Sequence, residues 1–126
     1  MDLDKETVLL LGQNLFFSGR VEASAEPQGY EVQRATTESI FWDHYGSRRP
    51  GLILIDLEGD EPTWSNVLKK LNQQKLDGVK VVAFGPHENV ATLERARNLG
   101  CDLVLNKGKF NRDLPKIIGS IGVNSG

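Results

Sequence analysis

Five short apolar runs, each followed by a segment of helical period, constrain the fold of this chain more than any other feature. Four of the runs are nearly continuous, as expected of strands covered on both faces of a sheet: 7–12, 51–56, 79–85 and 101–106. The remaining run, 30–35, alternates apolar with polar residues and predicts a strand nearer the edge of the sheet.

Apolar residues recur with helical spacing between these runs and predict five helices, at 15–25, 37–45, 64–71, 89–99 and 111–121. Gly46 and Gly100 stand just past two of them, where a left-handed residue often closes a helix. Pro115 fits a helix that begins near Asn111, because the first-turn amide groups have no partner to lose. The alternation predicts parallel strands joined by helical crossovers, which is an α/β doubly wound sandwich.

Length and composition predict one soluble domain over residues 1–126, with its core in 7–121. A net charge of -2 and scattered cations argue against binding to nucleic acid. The longest apolar runs have about five residues, far fewer than a membrane span needs, and the acidic segment MDLDKE does not resemble a signal peptide. We therefore expect a cytoplasmic protein without a membrane partner.

Sites in sheets of this kind form outside the carboxyl ends of the strands. That rule selects four groups of residues: 12–14, 56–60, 85–87 and 106–109. Asp56 is the most conspicuous of these, because four apolar residues lead directly into it and an acidic, glycine-containing turn follows.

The sequence signals for several other kinds of site are weak. The residues 56–60 resemble the start of a calcium loop, but Glu61 and Val67 stand where that loop needs Gly and Glu. No His or Cys has a second ligand at metal-binding spacing, so we expect no metal site. Cys101 is the single cysteine and cannot form an internal disulfide. No Ser or Cys stands beside a His as nucleophile and base, so we expect no enzyme activity.

The segments RRPGLILIDL and DLVLNKGKF resemble those of response-regulator receiver domains, the family that includes the chemotaxis receivers. The first segment holds the phosphoryl-accepting aspartate of that family, and the second holds a lysine before the last helix. Asp56 and Lys107 occupy these two positions. The resemblance implies a flavodoxin-like (βα)5 sandwich with a five-stranded parallel sheet of order 2-1-3-4-5.

Four positions depart from the pattern that this resemblance implies. The acidic pair that holds magnesium in receivers falls on Gly12 and Gln13, the hydroxyl residue after strand four falls on Gly85, and the aromatic switch residue falls on Val104. Magnesium prefers several anionic oxygen ligands, so one carboxylate is a poor site for it. We expect Asp56 to persist as a paired, structural or ligand-sensing carboxylate, with Lys107 as its partner in an ion pair.

Three functional interpretations follow. The first is a stand-alone, degenerate receiver-like signalling module that binds a protein partner, either a histidine kinase or a separate effector. Under this interpretation a second copy of the chain is also a candidate partner, bound as a homodimer through helix 4, strand 5 and helix 5. The alternative is an active phosphoacceptor that a histidine kinase phosphorylates on Asp56 with weakly bound Mg²⁺. A third is a small-anion sensor in which His87 and Asn14 contact the anion beside Lys107, since a helix N-terminus opens there.

Overall fold

The computed structural model describes residues 6–74 and 78–121 and confirms the alternation of strands and helices. The strands are β1 (Thr7–Leu11), β2 (Glu31–Ala35), β3 (Leu52–Asp56), β4 (Lys80–Gly85) and β5 (Leu103–Asn106). The helices are α1 (Leu15–Ala25), α2 (Glu38–Ser47), α3 (Glu61–Gln73), α4 (Val90–Asn98) and α5 (Lys107–Gly119). Residues 1–5 of the acidic N-terminal segment lie outside the described residues.

The five strands form one sheet of order β2-β1-β3-β4-β5, and every neighbouring pair is parallel. This confirms the order that the resemblance to receiver domains implied. β2 lies at one edge, and its mostly exposed and half-exposed residues explain why its run alternates. β1 and β3 are fully buried along their length, as continuous apolar runs require.

Apolar side chains on the two faces of the sheet belong to separate cores. Leu9 and Leu11 face the layer of α2, α3 and α4, where Phe41 and Trp64 fill the space. Val8 and Leu10 face α1 and α5 instead. Helices thus cover both faces, which confirms the doubly wound architecture, and no helix in the described ranges is long and apolar enough to cross a membrane.

The end of α2 and the start of α5 differ from the predictions. Gly46 lies inside α2 rather than beyond it, whereas Gly100, with φ of +99°, does close α4 as predicted. α5 begins at Lys107 because the Asn106 side chain accepts a hydrogen bond from the Lys109 backbone N–H. Pro115 therefore lies in the interior of α5, and the first-turn placement predicted for it is wrong.

Candidate functional site

The carboxyl ends of the parallel strands meet at one edge of the sheet and place Asp56 at its centre. Asp56 is the last residue of β3 and pairs in register with Phe84 on β4. Leu57 continues that contact, since its backbone N–H donates to the Phe84 carbonyl oxygen at 2.9 Å. The carboxylate is thereby fixed by the central strands, and the turn 57–60 rises beside it.

Asp56 is buried, with 4% of its surface exposed. Its Oδ1 accepts a hydrogen bond from the Glu58 backbone N–H at 3.0 Å. Burial raises the pKa of the Asp56 carboxyl above its usual value, and the positive charge of Lys107 opposes that shift. Desolvation is therefore the larger influence on this group.

Gly12 closes the site from the β1 side. A Cβ built on Gly12 would lie 2.9 Å from the Asp56 Cβ and 3.4 Å from its Oδ2. Real Cβ atoms essentially never approach another heavy atom so closely, and the Asp56 Cβ is fixed to a central strand. Position 12 thus lacks both a carboxylate and the space for one in the present arrangement.

Gln13 and Asn14 border an open depression of about 390 Å³ in front of Asp56, together with Glu58 and Gly59. Asn14 caps α1: its Oδ1 accepts hydrogen bonds from the backbone N–H groups of Phe16 at 2.8 Å and Phe17 at 3.3 Å. These first-turn donors are already engaged by the chain itself. The depression therefore presents two carboxylates and two side-chain amides.

Lys107 forms an ion pair with Glu58, and its Nζ lies 4.8 Å from the centre of the Phe17 ring. The predicted ion pair of Lys107 with Asp56 is wrong, because these two side chains make no contact within 4.0 Å in the described structure. Glu58 has the longer side chain and stands in the exposed turn, so it reaches the ammonium group while Asp56 stays beneath. Sequence reasoning placed Glu58 only in the acidic turn that follows Asp56.

Gly85 and Val104 are both packed against apolar neighbours. A Cβ on Gly85 would lie 3.2 Å from the Leu57 Cβ and 3.6 Å from the Leu93 Cδ2. Val104 is 8% exposed and belongs to the core beneath α4. Neither position offers a hydroxyl or an aromatic ring that could move toward Asp56.

His87 lies away from the depression. Its side chain is 81% exposed, and its Nδ1 stands 3.4 Å from a carboxylate oxygen of Glu88. It is not among the residues that line the depression in front of Asp56. The structure therefore does not bring His87, Asn14 and Lys107 together as free groups for an anion.

The acidic turn after Asp56 is engaged by the chain itself. The Asp60 Oδ2 accepts hydrogen bonds from the Thr63 N–H at 3.1 Å and from the Thr63 hydroxyl at 2.7 Å, which caps α3. Glu61 pairs with Arg95 at 3.0 Å. Within the described ranges, no cluster of three or more His, Cys, Asp or Glu side chains could hold a metal ion.

Trp64 is a site residue that sequence reasoning assigned only to a helix. It lines a small cavity that also reaches Gly12, Gln13, Asp56 and Asp60. Trp64 is 1% exposed, and its indole N–H finds no hydrogen-bond partner in the described part of the chain. No pattern in the sequence marks an unpaired indole, because hydrogen-bond partners depend on the folded arrangement of the chain.

Comparison with known proteins identifies the fold. No family model matches the sequence, and no curated protein matches it. Among solved structures, a CheY-like receiver domain protein from Methanospirillum hungatei is 20% identical with a TM-score of 0.76, covering 93% of each chain. The NtrX receiver domain from Brucella abortus is 18% identical with a TM-score of 0.75, over 90% of this chain and 96% of that one.

A third similar structure is the chemotaxis protein CheY4 of Vibrio cholerae, which is 16% identical with a TM-score of 0.75. The match covers 93% of this chain and 98% of that protein. Similarity at these identities establishes a CheY-like, flavodoxin-like fold for this chain. It does not extend to the chemistry at Asp56.

Proposed function

We propose that this chain is a degenerate receiver-like signalling module that acts by binding a protein partner and does not accept a phosphoryl group on Asp56. The close approach of Gly12 to Asp56 carries this proposal. Receiver-like phosphorylation, as the resemblance implies it, depends on magnesium held by acidic residues at positions 12 and 13. Here one of these positions has no room for a side chain, and the other is an amide.

Electrostatics support the same conclusion. A phosphoryl group in transfer carries negative charge that cations must offset. The residues at this site do not fit a magnesium ion, since Asp56 is the only one of the three expected carboxylates present. Lys107, the remaining cation, is paired with Glu58. Charge on a phosphoryl group at Asp56 would therefore be poorly compensated.

One observation favours the alternative, an active phosphoacceptor phosphorylated on Asp56 by a histidine kinase. Asp56, although only 4% exposed, borders the open depression, which is the side from which a phosphodonor would approach it. The third interpretation, a small-anion sensor, has weaker support. Glu58 already pairs with Lys107, and His87 lies beside Glu88, so two of the side chains that it requires face carboxylates of the same chain.

The proposal is tested by incubating the protein with acetyl phosphate and magnesium and recording its intact mass. We expect no mass increase, in either the wild-type protein or the Asp56→Asn variant. A phosphoryl adduct on the wild type that is absent from Asp56→Asn would establish the alternative. Calorimetry with magnesium and beryllofluoride gives a second measurement, in which we expect no saturable binding.

The face built from α4, β5 and α5 remains our predicted contact surface for a partner or a second copy. Two of its cations are engaged within the chain, since Arg95 pairs with Glu61 at 3.0 Å and Arg97 with Glu94 at 2.9 Å. Sedimentation at increasing protein concentration tests the homodimer. If the protein stays monomeric at all concentrations, the homodimer is excluded and a different partner protein remains.

A further inference from the structure

Three cations lie along the exposed face of α5. Lys109, Arg112 and Lys116 are spaced by three and four residues, so they share one side of the helix, and all three are exposed. None of them lies within ion-pair distance of a carboxylate in the described ranges. The contrast is clear elsewhere on the surface, where five lysines and arginines form ion pairs with glutamates of the same chain.

Arg20 on α1 extends this charge across to the neighbouring helix. Its Nε donates a hydrogen bond to the Asn111 Oδ1 at 3.0 Å, which ties α1 to α5. The same guanidinium lies 5.8 Å from the centre of the Phe16 ring. Phe16 and its neighbour Leu15 are 64% and 68% exposed, so the start of α1 presents two large apolar side chains, one of them beside Arg20.

A surface groove of about 250 Å³ lies where α1 meets α5. Its lining residues are Arg20, Ala23, Ser24, Asn111, Arg112, Leu114 and Pro115. None of these described residues is a carboxylate, and two of them, Arg20 and Arg112, carry guanidinium groups. The planar guanidinium of Arg suits two-point hydrogen bonding to a carboxylate. The groove therefore offers a place for an acidic side chain.

We call Leu15, Phe16, Arg20, Lys109, Arg112 and Lys116 the basic face. Exposed cations are often no more than a solvated surface, but these are concentrated on one side of a chain whose net charge is -2. Asp113, half-exposed, is the one acidic residue of α5, and the structure of the described residues shows no ion pair between it and these cations. On α5, three cations of this face thus stand against one carboxylate.

We propose that the basic face docks an acidic amphipathic helix of a partner protein. A carboxylate of that helix enters the groove between Arg20 and Arg112, and its apolar residues cover Leu15 and Phe16. This inference rests on the proposed function in protein binding and names the partner's chemistry. A second copy related by two-fold symmetry would place this basic face against itself, and like charges would oppose that arrangement.

The test uses a fluorescently labelled synthetic helix with Glu and Leu on one face, and a second helix with Lys in place of each Glu. Anisotropy measures their binding to the wild type and to the Arg20→Ser/Arg112→Ser variant. Lys69→Ser is the matched control, because Lys69 is exposed on α3 in the opposite helical layer. Lys109→Ser/Lys116→Ser provides a second variant that removes no described hydrogen bond.

We expect the Glu helix to bind and the Lys helix not to bind. Each double variant should lower the affinity for the Glu helix by about tenfold or more, because interfacial charge pairs are lost. Lys69→Ser should change affinity less than about twofold, and added salt should weaken the wild-type complex. Circular dichroism confirms that each variant is folded.

The proposal fails if the Glu helix does not bind, or if it binds the double variants as tightly as the wild type. It also fails if anionic vesicles or duplex DNA bind the wild type in place of the helix and lose that binding in the double variants. Failure here is separable from failure of the proposed function. A phosphoryl adduct on Asp56 would overturn the latter and leave the anisotropy result unchanged.

Discussion

The substitution Gly12→Ala tests the contact on which the functional proposal depends. The added Cβ would lie 2.9 Å from the Asp56 Cβ. Gly12 does not have a positive φ, so alanine introduces no backbone strain there. Overpacking of this kind costs about 1–3 kcal/mol, while the less flexible unfolded chain returns about 0.4–1 kcal/mol. We expect the free energy of unfolding to fall by about 0.5–2 kcal/mol.

Gly19→Ala is the matched control, because it is the same chemical change in the middle of α1. A Cβ at Gly19 meets no atom within 4 Å. Alanine there should raise the free energy of unfolding by about 0.5–1 kcal/mol, as expected for a helix interior. Urea unfolding followed by circular dichroism and tryptophan fluorescence gives both values, provided that the m-values agree.

Opposite signs for the two variants would support the steric argument. If Gly12→Ala were as stable as the wild type, or more stable, residue 12 would have room for a side chain. The reasoning that excludes a carboxylate from position 12 would then be refuted. Gly12→Asp would in that case become the variant with which to look for magnesium binding.

Three further predictions concern ionisable groups. Because burial raises the Asp56 pKa, the folded protein keeps this proton to higher pH than the unfolded chain, and stability falls as pH rises through that window. Asp56→Asn should therefore raise the free energy of unfolding at neutral pH, and this gain should shrink as the pH is lowered. The exposed control Asp43→Asn should show no such trend. Equal pH dependence of the two variants would contradict the prediction. A double-mutant cycle of Glu58→Gln and Lys107→Met should give a coupling below about 1 kcal/mol, and a larger value would mean a buried pair. Burial raises the pKa of Cys101 to about 12, so its thiol should react slowly at pH 8 until the protein is unfolded in urea; fast reaction would show an open site.

The strands were predictable from the sequence because a strand that is buried on both faces consists mostly of apolar residues. β1 and β3 are buried throughout and apolar except for Thr7 and Asp56, and the exposed edge strand β2 alternates. The strand order came from the resemblance to receivers, and Asp56 could be placed because it follows a buried run at a carboxyl end. These features depend on the local chain and on the rules of parallel sheets.

The contacts of the site depend on distances that the sequence does not express. Whether Lys107 meets Asp56 or Glu58 is decided by side-chain length and by the depth of each carboxylate. The approach of Gly12 to Asp56 depends on the spacing of β1 and β3 at their ends. Asn106 both ends β5 and caps α5, so one residue determined a boundary that helical periodicity placed four residues later.

Trp64 gives the protein an optical reporter beside its candidate site. The indole is buried against the cavity that it shares with Asp56, whereas Trp42 is only partly buried and donates to a carboxylate oxygen of Glu38 at 3.1 Å. A dissolved quencher such as iodide therefore quenches the fluorescence of Trp42 more than that of Trp64. The emission that remains comes mainly from Trp64. Because the energy of an excited indole depends on nearby charge, ionisation of Asp56 changes the emission wavelength of Trp64. Proton uptake at this carboxyl can thus be followed in the unlabelled protein.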